Sequence, residues 1–222
     1  MKKILFLIPN LAHGGAERVL VNLANNLDLQ KYDITVQTLF DVGINRQYLS
    51  SHIHYIPGAK KQFRGNTVLM KFFSPERLYR YIVREKYDVI VSYLEGATSR
   101  IIAGCSDATV KKIAWIHIEL PTPQQAAIGF RNTSEAICLY NRYNRLISVA
   151  NSVRETFLKS LPVSVPIEVL YNTNETERIE ELAKEQPEDI VFPKDKVCVC
   201  SVAKLMRTKG YDRLLSAHKR LL

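Results

Sequence analysis

A chain of 222 residues, 46% hydrophobic and 24% charged, is long enough to bury a core and to make one large domain or one and a half. That balance excludes collagen-like, low-complexity and disordered chains. With 31 Lys and Arg against 22 Asp and Glu, the net charge of +9 suits an anionic partner such as nucleic acid, anionic lipid or a phosphorylated small molecule.

Lys3–Ile8 reads as a buried strand. The basic-then-apolar start imitates a secretory leader, but the apolar run stops at Pro9-Asn10 and no small-residue cleavage site follows. After the glycine turn Leu11–Gly15, apolar residues at Val19, Leu20, Leu23, Ala24 and Leu27 have helical spacing. Ile34–Phe40 and the shorter Ile53–Ile56 read as strands. Ser74 as cap and Pro75 in the first turn open a helix to about Glu85. Strand Asp88–Tyr93 and a short helix over Thr98–Ala103 follow, then strand Lys112–His117 and a loop with Pro121 and Pro123. A helix over Ser134–Asn141, strand Arg145–Val149, a helix over Val153–Leu161 capped by Asn151-Ser152, and strand Ile167–Leu170 come next. Glu175–Glu185 reads as an acidic helix and Gln186–Asp189 as linker. Lys196–Val202 reads as a strand, Lys209-Gly210 as a turn and Asp212–Leu222 as an amphipathic helix.

This alternation predicts an α/β fold: a doubly wound, mostly parallel, Rossmann-like sheet over residues 1–180. A linker over 181–195 leads to residues 196–222, the first strand–helix unit of a truncated second Rossmann-like domain, and the chain looks cut. No apolar run approaches the roughly 18 residues of a membrane span. The four cysteines lack metal-site spacing, so no metal is expected. Cys198 and Cys200 would share one strand face as buried thiols. Nothing asks for an oxidising compartment, and a cytoplasmic protein is the expectation.

Ligands of open α/β sheets gather at the carboxyl ends of strands. Gly14 and Gly15, between the first strand and first helix, could let an anion approach backbone N–H groups; the plainer account is a glycine turn with Glu17 answering the helix dipole. The spacing is not Gly-x-Gly-x-x-Gly, which disfavours a dinucleotide cofactor. His117 closes a strand and could hydrogen-bond a hydroxyl or stabilise developing charge, with Glu119 facing the same way if the chain stays extended; a structural histidine is the plainer account. Lys204 and Lys209, with Arg207 between, could converge on a diphosphate or form a solvated basic loop.

Gly14-Gly15-Ala16-Glu17-Arg18-Val19-Leu20-Val21-Asn22-Leu23-Ala24, Leu170-Tyr171-Asn172-Thr173 and Val202–Leu215 together resemble group 1 glycosyltransferases, family 4 of the sugar-nucleotide enzymes. The resemblance implies a GT-B architecture of two Rossmann-like domains. It implies metal-independent, retaining transfer of a hexose from a nucleotide-sugar to a hydroxyl of a saccharide or lipid-linked acceptor, in surface polysaccharide, capsule or glycolipid synthesis. The nucleotide-sugar is a substrate, so no cofactor is expected. Gly14 and Gly15 match the loop facing the donor phosphates and acceptor, and His117 matches a histidine contacting the transferred sugar. Lys204, where the family usually has Arg, and Lys209 match the donor-diphosphate residues. The family's paired-glutamate motif is absent up to Leu222, so these residues alone are expected to be inactive. The competing accounts are a non-catalytic truncated or accessory binding subunit and a nucleotide-sugar epimerase or dehydrogenase.

Eight cations between Lys60 and Lys86, interleaved with Phe72, Phe73, Tyr79 and Tyr81, face only Glu76 and Glu85. Lys71, Arg77, Arg80 and Arg84 are therefore candidates for an acceptor or anionic-membrane face, on the inner side of the cell membrane. A solvated helix face explains them equally well, and nucleic acid fits less well because no binding motif accompanies the charge.

Overall fold

The apolar run at the amino terminus becomes the central strand of a parallel sheet. The computed structural model describes residues 1–185, 190, 191, 193 and 195–221. Strand β1 (Lys2–Ile8) pairs along its whole length with β2 (Tyr32–Thr38), from Lys2↔Tyr32 to Ile8↔Thr38. On its other side it pairs with β4 (Val89–Ser92), from Ile4↔Val89 to Leu7↔Ser92. Outside these lie β3 (His54–Ile56) on one edge and, in turn, β5 (Lys111–Ile116), β6 (Arg145–Ser148) and β7 (Ile167–Val169) on the other. All seven strands run parallel in the order β3-β2-β1-β4-β5-β6-β7. Alternate side chains of β1 enter different layers: Leu5 and Leu7 join one core, Ile4, Phe6 and Ile8 the other. Burial on both faces is why the strand is a continuous apolar run instead of an alternating one.

The direction of winding reverses between β1 and β4, and parallel crossovers are right-handed. Helices from the two halves must therefore cover opposite faces. On one face α1 (Gly15–Asn26) buries Leu20, Val21 and Ala24 against the even-numbered residues of β1. On the other lie α3 (Pro75–Ile82), α4 (Ala97–Ile102), α5 (Pro123–Ala126), α6 (Thr133–Tyr140) and α7 (Asn151–Ser160). The doubly wound sheet expected from the alternation is what forms. The short α2 (Asn66–Lys71), which the sequence did not announce, precedes α3.

Local chemistry explains several boundaries. Ser74 Oγ accepts from the Arg77 N–H at 3.2 Å with Pro75 in the first turn, so α3 begins as expected. It stops at Ile82, short of Glu85, because Val83 and Tyr87 are drawn into the core ahead of β4. The cap expected from Asn151-Ser152 is not formed: Ala150 occupies the cap position of α7, and Asn151 Nδ2 instead donates to the Tyr171 hydroxyl at 3.3 Å.

The chain divides into two compact units, Met1–Glu175 and Thr176–Leu222. In the second, α8 (Thr176–Leu182) and α9 (Tyr211–Lys219) form, with a 3₁₀ turn at Arg207–Lys209. The strand expected over Lys196–Val202 does not: Val197 is 93% and Val202 98% exposed, and the segment pairs with no strand among the described residues. A strand needs a hydrogen-bonded neighbour, and apolar content cannot substitute for one. Cys198 and Cys200 are accordingly exposed and not buried thiols. Residues 186–189, 192 and 194 of the expected linker, and Leu222 of the last helix, lie outside the described residues.

One buried cation ties the first unit together. Arg100 on α4 is 1% exposed. Its guanidinium meets both carboxylate oxygens of Glu135 on α6, at 3.1 and 3.0 Å, and donates to the carbonyls of Met70 (3.0 Å) and Phe73 (2.8 Å). Arg131 adds bonds to the carbonyls of Lys71 (2.7 Å) and Phe73 (3.2 Å). Burial works to raise the Glu135 pKa, but hydrogen bonds from Arg100 and the Arg131 N–H outweigh it and hold the carboxyl below its ordinary 4.5. This contribution is therefore complete above pH 4.5 and is lost as pH falls through the lowered native value. Arg100→Ala strands a buried carboxylate and two carbonyls. We expect it to lower unfolding free energy by about 3–5 kcal/mol in denaturant titrations, and a loss within 1 kcal/mol would mean that water takes over the guanidinium's role.

Candidate functional site

Winding reverses between β1 and β4, and the loops after β1, β4 and β5 leave the sheet at its carboxyl edge beside that reversal, the place where open α/β sheets form a ligand crevice. The loop after β1 is pinned from below. Leu11 N donates to the Val42 carbonyl and Asn45 N to the Leu11 carbonyl, both at 3.0 Å, while buried Asn45 also donates through Nδ2 to the Ala12 carbonyl. Gly43, at φ +119°, lies so close that a Cβ there would come within 2.0 Å of the Leu11 backbone. Gly14 sits at the cap position of α1 without a side-chain cap, and a Cβ on Gly15 would meet nothing within 4 Å. Glu17 folds back over Gly14, so an anion at this turn must first displace a carboxylate. Arg18 pairs with Glu175 at 3.1 Å and lies 4.3 Å over the Tyr48 ring, which ties α1 to the segment after β7.

The loop after β4 carries a residue that sequence reasoning passed over. Glu95 accepts the main-chain N–H of His117 on Oε2 at 3.1 Å, joining the exits of β4 and β5. Burial pushes its carboxyl above the ordinary value, and the bond from His117 offsets part of that rise. Three hydroxyls converge on the Leu94 carbonyl to fix the turn: Ser92 (3.0 Å), Thr98 (2.7 Å) and Ser99 (3.2 Å). Gly96 follows at φ +102°, and Gly129 packs so tightly on it that an added Cβ would stand 2.4 Å from the Gly96 carbonyl carbon. The available signal was a glutamate followed by glycine directly after an apolar strand.

His117 turns inward. Its ring lies 4.7 Å from Tyr93, centroid to centroid, and is stacked 6.2 Å from Trp115. Among the described residues both ring nitrogens are buried without a hydrogen-bond partner, as are the Tyr93 hydroxyl and Trp115 Nε1. Each such group costs about 1–3 kcal/mol, so this cluster is a polar reserve at the crevice edge that a hydroxyl-bearing ligand could satisfy. Desolvation lowers the His117 pKa to about 4. At neutral pH the imidazole is therefore uncharged and serves as a hydrogen-bonding dipole, not as a cation. The chain bends at Ile118, leaving Glu119 exposed and in a different environment from His117.

The remaining candidates lie elsewhere. Lys71 ends α2, and Arg77 and Arg80 sit on α3 with Arg84 just beyond it. Lys204 and Lys209 belong to the second unit; Lys204 precedes the 3₁₀ turn and Lys209 ends it, with Gly210 at φ +71° in the cap position of α9. No cluster of His, Cys, Asp and Glu able to hold a metal occurs among the described residues.

The neutral ring has a thermodynamic consequence. Between the unfolded value of 6.5 and the native value of about 4 the unfolded chain binds more protons, so His117 stabilises fully above pH 6.5 and progressively less down to about pH 4. Ring-carbon NMR shifts should show His117 neutral at pH 5.5, and His117→Asn should flatten the acid limb of stability between these values. A ring titrating near 6.5 would place the imidazole in solvent.

Residues 13–178, well over half of the chain, match the family model described as Glycosyltransferase Family 4. The fold is similar to the crystal structure of Anabaena Alr3699/HepE in complex with UDP-glucose: 20% identity over 83% of this chain and 49% of that one, TM-score 0.54. The same protein in complex with UDP and glucose aligns at 20% identity over 83% and 50%, with TM-score 0.53. This chain thus spans about half the length of the solved structures it resembles. A comparison with curated protein sequences returned no match. By the extent of the family match, the chain is a member of glycosyltransferase family 4.

Proposed function

We propose that this chain forms the acceptor side of a retaining hexosyltransferase. In this reading a hexose passes from a nucleoside diphosphate sugar to a hydroxyl of a saccharide or lipid-linked acceptor, in cell-surface polysaccharide or glycolipid synthesis. The observation that carries it is what the strand order brings together at the winding reversal. There the Gly14-Gly15 turn, Glu95 and the unsatisfied ring of His117 all stand at the carboxyl edge of one sheet. Family membership supports transfer, and the binding of UDP-glucose by the structurally similar Anabaena protein supports a nucleotide-sugar donor.

The acceptor hydroxyl attacks the anomeric carbon, the bond to the diphosphate breaks, and the hydroxyl proton leaves with the departing phosphate. His117, uncharged at neutral pH, hydrogen-bonds a sugar hydroxyl through one nitrogen as donor and the other as acceptor. Glu95 holds the main chain of His117 and thereby the exit of β5. Lys204 and Lys209 supply positive charge to the diphosphate, so the reading needs neither metal nor cofactor. Lys204 brings charge without the bidentate fork of an arginine. The enzyme works from the cytoplasmic side, at the inner membrane surface. No described helix is long and apolar enough to cross a membrane.

Saturation-transfer NMR on the 222-residue chain, with UDP, UDP-glucose and NAD offered separately, tests the donor class; preferential NAD binding defeats the reading. In the complete enzyme, His117→Ala should lower turnover by roughly 10- to 10,000-fold while the fold stays intact. A lost melting temperature with normal turnover would make His117 structural. Because the structures it resembles are about twice as long, we also expect no transfer by these 222 residues alone. Radiolabelled donor assays against free-sugar and lipid-linked acceptors decide that point.

A further inference from the structure

A working histidine is ordinarily oriented by hydrogen bonding: one ring nitrogen is tied to a carboxylate or carbonyl, and the other faces the ligand. His117 has no such tie. Among the described residues neither Nδ1 nor Nε2 has a partner, although both are buried. The neighbouring carboxyl groups do not supply one. Glu95 bonds the main-chain N–H of His117 through Oε2 and not the ring, and Glu119, two residues on, is exposed.

What touches the ring is aromatic, and strand register explains why. Ser92 on β4 stands opposite Ala114 on β5, so one step on Tyr93 comes opposite Trp115. His117, two residues beyond Trp115, falls on the same face. Tyr93 carries the sheet past the end of β4, its N–H bonded to the Leu7 carbonyl at 2.9 Å. The Tyr93 ring stands 5.0 Å from that of Trp115 and 4.7 Å from that of His117, and Phe6 backs it edge-on at 6.0 Å. Trp115 and His117 stack within 22° of parallel. Tyr93 and Phe6, 0% and 4% exposed, cannot move aside without opening the core. Packing holds the imidazole from two sides, and both of its nitrogens are left over for a ligand.

We propose that Tyr93 and Trp115 are positioning residues of the transfer reaction. Their rings clamp the His117 imidazole in the role an orienting carboxylate would otherwise fill, which frees one nitrogen to donate to a sugar hydroxyl and the other to accept from one. The proposal rests on the reading that His117 meets the sugar, and it adds what holds the ring. The first test needs no substrate. In the 222-residue chain at neutral pH, the ring nitrogen NMR shifts of His117, assigned by their loss in His117→Asn, should show both neutral tautomers. Nuclear Overhauser contacts should join the imidazole to the indole of Trp115, the sole tryptophan. A single fixed tautomer would mean that a hydrogen bond orients the ring, and missing contacts would mean that packing does not; either result overturns the proposal. The second test uses the complete enzyme. Tyr93→Leu and Trp115→Leu should each lower kcat by about 10- to 100-fold with KM held within about threefold, and Tyr93→Phe and Trp115→Phe should recover most of that loss. Folded leucine variants with normal turnover, beside an impaired His117→Ala, would overturn the clamp alone. Normal turnover in His117→Ala would overturn the reading of His117 and with it the clamp's part in transfer. Where a leucine variant does not fold, the NMR measurements and the phenylalanine variants still decide.

Discussion

The buried guanidinium of Arg100 is the constraint around which the first unit is arranged. It has five N–H donors and is 1% exposed, so it must be surrounded by acceptors, and these come from three separate segments. Glu135 on α6 supplies the charge, and the end of α2 and the loop to α3 supply carbonyls. A buried pair of this kind is weak evidence for stability, since well-packed apolar residues often do as well. Its effect here is positional: a six-residue helix with no side-chain cap could not hold itself beside the sheet, and the clamp holds it. The end of α2 and the turn into α3 inherit their placement from that one interaction.

The sheet imposes the second constraint. Reversal of strand order at β1 and β4, combined with right-handed crossovers, sends α1 to one face and α4 to α7 to the other. The same reversal leaves a position at the carboxyl edge where neighbouring connections depart in opposite directions. Folding geometry thus creates the place for a ligand before any catalytic side chain is chosen. Within it, Glu95 and His117 are coupled through the backbone and not through their side chains. A carboxyl group that accepts a main-chain N–H fixes a strand exit, and burial keeps the imidazole neutral.

The electrostatics of the molecule separate accordingly. Positive charge gathers on the exposed surface around α2 and α3, where water screens it and an anionic surface can be met. At the crevice, low polarity keeps His117 uncharged and raises the Glu95 pKa.

Periodicity alone determined the seven parallel strands and the main helices, because burial on both faces writes continuous apolar runs and amphipathic helices write a stripe. The turn at Gly14-Gly15, the strand-end position of His117 and the basic stretch from Lys60 to Lys86 were legible for the same reason: each is local. Non-local groups were not. Arg100 stands in an apolar helical stretch, and its partners, Met70, Phe73 and Glu135, are about 27 to 35 residues away, a separation that only packing closes. Glu95 gained its meaning from the His117 N–H, 22 residues on. The inward turn of His117 came from the rings of Tyr93 and Trp115. The stretch Lys196–Val202 makes the converse point: its residues favour a strand, but backbone hydrogen bonds come from a neighbour, so tertiary structure decided against it.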